Sequence, residues 1–397
     1  MTDRIRIKKF YPNYFSFLCQ GSTVLVIGAI LPYLIEEANL SYTVAGTLLS
    51  AFAIGNFLAS FVFPALEKIA GRKPAILITA TVIPLVLFAV TLIPPVWAMI
   101  VLFTILGICR GSNSIINNAY INENSDGSAF ALNILHMTFA IGAFSAPLFA
   151  SIFFNNGFSW KAIVYAITIA SAVAVVLLTQ LDLKEKDAGT QPADAAKAEN
   201  SINKIELPGK KCKFYKMPVF WISGIILFFY LGFENCINGW FVTYFRSTGI
   251  MSDTYANELV SFTWLAVLFG RLFTALVSTK IKKQTIILAD CLATAVFFIL
   301  LVSTKNLALI TLCIVGLGFF LAGIYATSIS NAHAAIAGSD IGTSMLLAIA
   351  AFGGIVAPQI VGSVADKIGL VGSIGILTVN VTAMIVFSII NKIMHKN

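Results

Sequence analysis

Between Gly107 and Tyr120 an otherwise apolar stretch reads Gly-Ile-Cys-Arg-Gly-Ser-Asn-Ser-Ile-Ile-Asn-Asn-Ala-Tyr. Arg110, Asn113, Ser114 and Asn117 recur at i, i+3, i+4 and i+7, which stacks them on one face of a helix. Chemistry of two kinds is open to such a face. The amides both donate and accept hydrogen bonds, as a polyhydroxylated ligand requires. The guanidinium presents a planar fork suited to a carboxylate, a phosphate or paired hydroxyls. A charge at mid-span costs about 2.5 to 3.5 kcal/mol on the lenient insertion scale, so it is kept inside a bundle beside a watery path. Arg110 is therefore a functional candidate. The competing reading is that it packs between helices, satisfied by carbonyls, just as any single Asn or Ser can serve only to join helices.

The element carrying this face is one of twelve. The chain has 397 residues, 58% hydrophobic and 11% charged, with a mean hydropathy of +0.89. A soluble domain carries about 25% charged residues, so this is a polytopic membrane protein. Apolar runs near 20 residues fall at 13–35, 43–66, 74–93, 96–120, 129–154 and 159–180, then at 219–245, 254–279, 284–303, 306–332, 340–364 and 369–391. The expected fold is all-α, twelve transmembrane helices in two pseudo-symmetric six-helix bundles, 1–180 and 219–397. A cytoplasmic linker, 181–218, joins them; its Lys, Asp, Ala and Pro content without hydrophobic periodicity reads as mostly disordered. The basic N-terminal stretch resembles a signal peptide but lacks a small-residue cleavage site, and reads as a retained first span.

Twenty of the Lys and Arg residues fall in the tail, the central linker, the loops after spans two and eight and the C-terminus, against Lys161, Arg246, Lys305 and Lys367 on the other side. The positive-inside rule puts both termini and the linker in the cytoplasm of a cell whose inner (plasma) membrane holds the chain. The formal charge of +8 is thus a topology signal and calls for no nucleic-acid partner. Six scattered cysteines show no metal-ligand or redox spacing, and no nucleophile stands with a base. No catalytic residue, no metal and no cofactor is expected; the expected partners are a small-molecule substrate, a coupling ion, most simply a proton, and membrane lipid, around a monomer.

The halves repeat. Gly21, Gly28 and Tyr33 stand 211 positions before Gly232, Gly239 and Tyr244, and Pro147 stands 211 before Pro358. Parallel repeats of six spans are the architecture of one large class of secondary transporters.

The loop Leu66-Glu-Lys-Ile-Ala-Gly-Arg-Lys after span two resembles the loop motif of the major facilitator superfamily, with Glu67 where an Asp is usual. Leu132-Asn133-Ile-Leu-His136 followed by Gly142 and Pro147, Tyr230-Leu-Gly-Phe-Glu234 leading to Gly239-Trp240, Trp264 with Gly270-Arg271, and Gly354 to Pro358 are similar to its fucose-permease-like group. The resemblance implies two bundles rocking about a cavity lined by spans one, four, seven and ten. It would place four polar stripes there: Ser16, Gln20 and Thr23; the Arg110 face; Tyr230, Glu234 and Asn238, with Trp240; and Tyr325, Thr327, Ser328 and Asn331. Relatives in that group carry acids in spans one and four, where this chain has Gln20 and Arg110.

The substrate-binding candidates are accordingly Gln20, Arg110, Asn113, Asn117, Asn238, Trp240, Tyr325 and Asn331. Glu234, the one acid deep in a lining span, can load and release a proton, with Arg271 or Arg110 as alternating counter-charge and His136 as a second titrating group. Against this stand a static Glu234–Arg271 pair and a packed His136. Glu67 and Arg72 are expected to act as a gate, or only as a solvated pair that sets topology. The expected activity is proton-coupled alternating-access transport of a small polar solute, a sugar or sugar derivative; the alternatives are proton-driven efflux of amphipathic drugs, or carriage of an organic anion bound by Arg110. Asp290, about two turns into span nine, is expected to reach the cytoplasmic interface.

Overall fold

A computed structural model describes residues 9–125, 128–181, 214–336 and 339–394. The chain is all-helical over these residues, and twelve helices are long and apolar enough to cross a membrane. They are α1 (Tyr11–Glu37), α2 (Tyr42–Ala70), α3 (Arg72–Thr91), α4 (Val96–Asn124), α5 (Ala129–Asn155), α6 (Trp160–Thr179), α7 (Pro218–Ser247), α8 (Asp253–Val277), α9 (Lys283–Ser303), α10 (Leu307–Ile336), α11 (Asp340–Ile368) and α12 (Leu377–Met394). The twelfth span begins earlier, at Leu370, and passes through a 3-10 turn at Ile374–Ile376. The linker at 182–213 lies outside the described residues.

Helix is the form these apolar runs must take, because in hydrocarbon every backbone polar group has to be satisfied within the segment. Large apolar side chains such as Phe61, Leu85, Ile169 and Leu276 stand more than 60% exposed, as a lipid-facing surface requires. Many polar side chains, among them Asn13, Gln20, Asn113, Asn117 and Asn257, lie buried.

Two compact units form. In the first, α1 is set against α5 and α2 against α4 through glycines. A Cβ on Gly21 would collide with the Phe139 carbonyl and one on Gly142 with that of Leu18; Gly55 and Gly107 stand likewise against Thr104 and Phe52. Small residues that let backbones touch are the usual way helices associate in lipid. The second unit repeats the device: Gly270 meets the Phe319 carbonyl, Gly318 that of Thr263, and Gly353 that of Phe228. Gly107 and Gly318, and Gly142 and Gly353, are each 211 positions apart, so the internal repeat is a repeat of contacts. Gly55→Ala is expected to cost about 1–3 kcal/mol through a backbone clash, read as a lowered melting temperature of the purified protein. Gly375→Ala, where a Cβ meets nothing within 4 Å, is expected to leave it unchanged.

The second unit contains more than the C-terminal helices: the segment Gly28–Ser50, the adjoining ends of α1 and α2, groups with it. Arg246 of α7 binds Glu36 at 3.0 Å and Asp253 at 3.2 Å, its guanidinium lies 4.8 Å from the Tyr33 ring centroid, and the Tyr33 hydroxyl donates to Asp253 at 3.0 Å. Asp366, near the end of α11, accepts the backbone N–H groups of Tyr42 and Thr43 at 2.8 and 2.9 Å, capping the start of α2.

Candidate functional site

In the first unit, Arg110 stands half-buried near the middle of α4. Its Nη1 donates to Oδ1 of Asn56 on α2 at 2.8 Å, and its guanidinium lies 5.3 Å from the ring centroid of Phe139 on α5. Gly111 allows this approach, since a Cβ there would press on Ala59 and Asn56. An amide oxygen and a ring face thus hold the guanidinium on two sides.

Arg110, Asn113 and Gln20 line one small cleft, together with Ser16 and Thr23 of α1 and Ser171 of α6. The Gln20 side chain is 2% exposed, and neither end of its amide finds a hydrogen-bond partner among the described residues. Asn113 donates to the Thr79 hydroxyl at 3.2 Å and the Cys109 carbonyl at 3.0 Å, while its own Oδ1 has no partner. Buried amides are ordinarily paired. Gln20 and Asn113 bring amide atoms without a protein partner among the described residues to the wall of one cleft.

Asn117 lies on the same helical face yet serves a different end. It donates to the Asn113 carbonyl at 2.6 Å and accepts from Asn13 of α1 at 2.9 Å, joining helices below the cleft. His136 of α5 sits half-buried with its ring 5.7 Å from that of Phe17. At the ends of α2 and α4, Arg72 bridges Glu67 at 3.5 Å and Glu123 at 2.8 Å. Glu123, the stronger partner, is not in the loop motif and was legible only as an acid at the end of a span.

In the second unit, Glu234 is half-buried on α7 and accepts the Tyr230 hydroxyl at 3.0 Å. The Tyr230 ring lies 5.7 Å from that of Tyr325 on α10. Arg271 of α8 is exposed, and among the described residues no ion pair joins it to Glu234. Asn238 accepts the indole N–H of Trp264 at 3.1 Å.

Two of the expected binding residues stand apart from this group. Trp240 is fully buried, its indole N–H given to the Pro358 carbonyl at 3.2 Å and its ring near Tyr42. Asn331 is the centre of an amide knot: it accepts from Gln284 at 2.9 Å and donates to Ser223 and Asn391, each at 3.1 Å, tying α7, α9, α10 and α12 together. Sequence reasoning missed Asn56 and Phe139, the partners of Arg110. The polar Asn56 after Gly55 in an apolar run was the available signal for the first; an aromatic in a span rich in aromatics gave none for the second.

Comparison with known proteins bears on the whole chain. The model of the Major Facilitator Superfamily matches residues 14–358. The chain is similar to the glucose/mannose transporter GlcP of Bacillus subtilis (strain 168), 24% identical over 388 residues that cover 95% of this chain and 93% of that one. Among solved structures it is similar to a bacterial homologue of the human lysosomal transporter Spinster in an inward-facing and occupied conformation, with TM-score 0.76 and 13% identity over 96% of both chains. It is also similar to a D-xylose-proton symporter, with TM-score 0.73 and 12% identity over 96% of both chains.

Proposed function

This chain belongs to the major facilitator superfamily, and from that premise we propose that it is a secondary active carrier that takes up a sugar or sugar derivative together with a proton. The observation that carries the reading is the cleft of the first unit, where the unpaired amide of Gln20, the free acceptor of Asn113 and the oriented fork of Arg110 converge. A sugar presents hydroxyls that donate and accept at short intervals, and it would satisfy both ends of Gln20 at once. The likeness to a glucose/mannose transporter and, in fold, to a D-xylose-proton symporter supports the same substrate class.

Coupling is assigned to Glu234, with Tyr230 holding its neutral or charged form in place and Arg271 as the nearby counter-charge. The protein would sit in the cell's inner membrane with both termini cytoplasmic. The Arg246–Glu36–Asp253 cluster and the Asp366 cap then lie on the outer side, and Arg72 with Glu67 and Glu123, the gate we assign, on the inner side.

A second reading, carriage of an organic anion, rests on Arg110 alone. Substrate counterflow in proteoliposomes, with hexoses, pentoses, organic anions and amphipathic dyes compared side by side, tests the reading. Sugar counterflow supports it, anion counterflow moves the assignment to the second reading, and movement of dyes only would overturn both.

A further inference from the structure

Trp240 and Trp264 are both buried, and each gives its indole N–H to a neighbouring helix. Trp240 of α7 gives it to a backbone carbonyl, that of Pro358 at 3.2 Å, which is all that joining two helices requires. Trp264 of α8 gives it instead to a side chain, Oδ1 of Asn238 on α7, at 3.1 Å. An indole N–H only donates, so it fixes which end of the amide it meets: the oxygen must face the tryptophan, and the two N–H donors of Asn238 must face away. Asn238 is half-buried, and its amide nitrogen has no protein partner among the described residues.

The backbone of this turn is held as well. A Cβ on Gly28 of α1 would collide with the Asn238 carbonyl, and one on Gly239 with Leu49 of α2, so α1 and α2 both close on α7 here. These contacts lie within the second unit, which includes Gly28–Ser50. Asn238 also stands four residues beyond Glu234, on the same helical face and about 6 Å further along the axis. A donor pair fixed in direction, on a clamped backbone, one turn from the acid assigned to coupling, is what recognition of an acceptor oxygen calls for.

We propose that Trp264 is a positioning residue for solute recognition: it holds the Asn238 amide with its N–H donors turned to the solute, so that the second unit selects a solute carrying an acceptor oxygen at that point. The inference rests on the sugar reading above, in which the acceptor is a hydroxyl or ring oxygen. Without the indole N–H the amide can turn over and present its own oxygen instead.

D-glucose, D-mannose and D-xylose are compared in proteoliposome counterflow for wild type, Trp264→Phe, Asn238→Ala and the double variant, normalised to folded carrier; monodeoxy analogues of the best-moved sugar then compete with it. Trp264→Phe keeps an aromatic ring and loses the donor. It is expected to raise the half-saturating concentration by about 3- to 10-fold, the range of one neutral hydrogen bond, with the maximal rate and its pH dependence at the parental level. Wild type is expected to penalise removal of one particular oxygen; Asn238→Ala loses that preference and Trp264→Phe weakens it. In the Asn238→Ala background, Trp264→Phe changes half-saturation no further. Trp264→His, which restores a ring N–H, recovers the parental analogue preference. Should Trp264→Phe not be recovered folded, Trp264→Leu, which also lacks a donor, takes its place in the cycle. Parental half-saturation and analogue preference in the donor-less variant, or effects of the two substitutions that simply add, overturn the inference. A wild type that moves none of the sugars overturns the sugar reading instead; the same cycle is then run on the organic anion that shows counterflow, where coupling between the two residues upholds the positioning role and additivity removes it.

Discussion

Glu234→Gln is expected to lose uphill accumulation of the transported solute while keeping exchange of solute across the membrane. With an imposed gradient of one pH unit, a carrier moving one proton per solute can reach about tenfold accumulation, since one unit corresponds to about 1.4 kcal/mol; the variant should settle at equal concentrations on both sides. The expectation follows from what surrounds the carboxyl. It accepts the Tyr230 hydroxyl at 3.0 Å, which can serve either protonation state by turning its own hydrogen. Among the described residues no ion pair joins it to Arg271, so the acid is not locked to that partner. Were the role structural, Gln would lower the yield of folded protein and leave accumulation by the surviving fraction intact. Uptake normalised to folded carrier separates the two, and accumulation at the wild-type level by the variant would remove Glu234 from the coupling step.

Arg110→Lys is the second large effect, expected to raise the half-saturating solute concentration by about 10- to 100-fold, the loss of a hydrogen bond from a charged group being about 1.5–3 kcal/mol. Both contacts that orient the side chain depend on a planar guanidinium: one nitrogen is committed to Asn56 at 2.8 Å, and the face lies over Phe139. The same side chain lines the cleft it shares with Gln20 and Asn113. Lysine keeps the charge and supplies a point donor with neither the fork nor the stacking face. Transport by Arg110→Lys at the parental half-saturation would show that the fork does not touch the solute.

The fold was legible because each span is a separate apolar run and the backbone in lipid has one way to satisfy itself. The repeat was legible for a similar reason: the glycines 211 positions apart are the points where helices touch, and nothing larger fits there. The site was legible only by face. Helical spacing put Arg110, Asn113 and Asn117 on one stripe, but which neighbour each meets depends on where α1, α2, α3 and α5 pack around α4. Asn331 and Trp240 have the same residue types as a binding residue and are spent on joining helices. Asp290 shows the limit most clearly: expected at the interface, it is 8% exposed, since counting turns from the helix start says nothing about what lies alongside. The pairing of Glu36 with Arg246 spans 210 positions and leaves no local trace.

The measurement closest to the central claim is the external pH recorded when a sugar is added to unenergised proteoliposomes holding the wild-type protein. Proton-coupled uptake predicts an alkalinisation outside that follows sugar addition, disappears when the membrane is made freely permeable to protons, and is absent with Glu234→Gln. Sugar that enters with no change in external pH would contradict coupling to protons, and a panel of sugars that neither enters nor moves protons would contradict the proposed function itself.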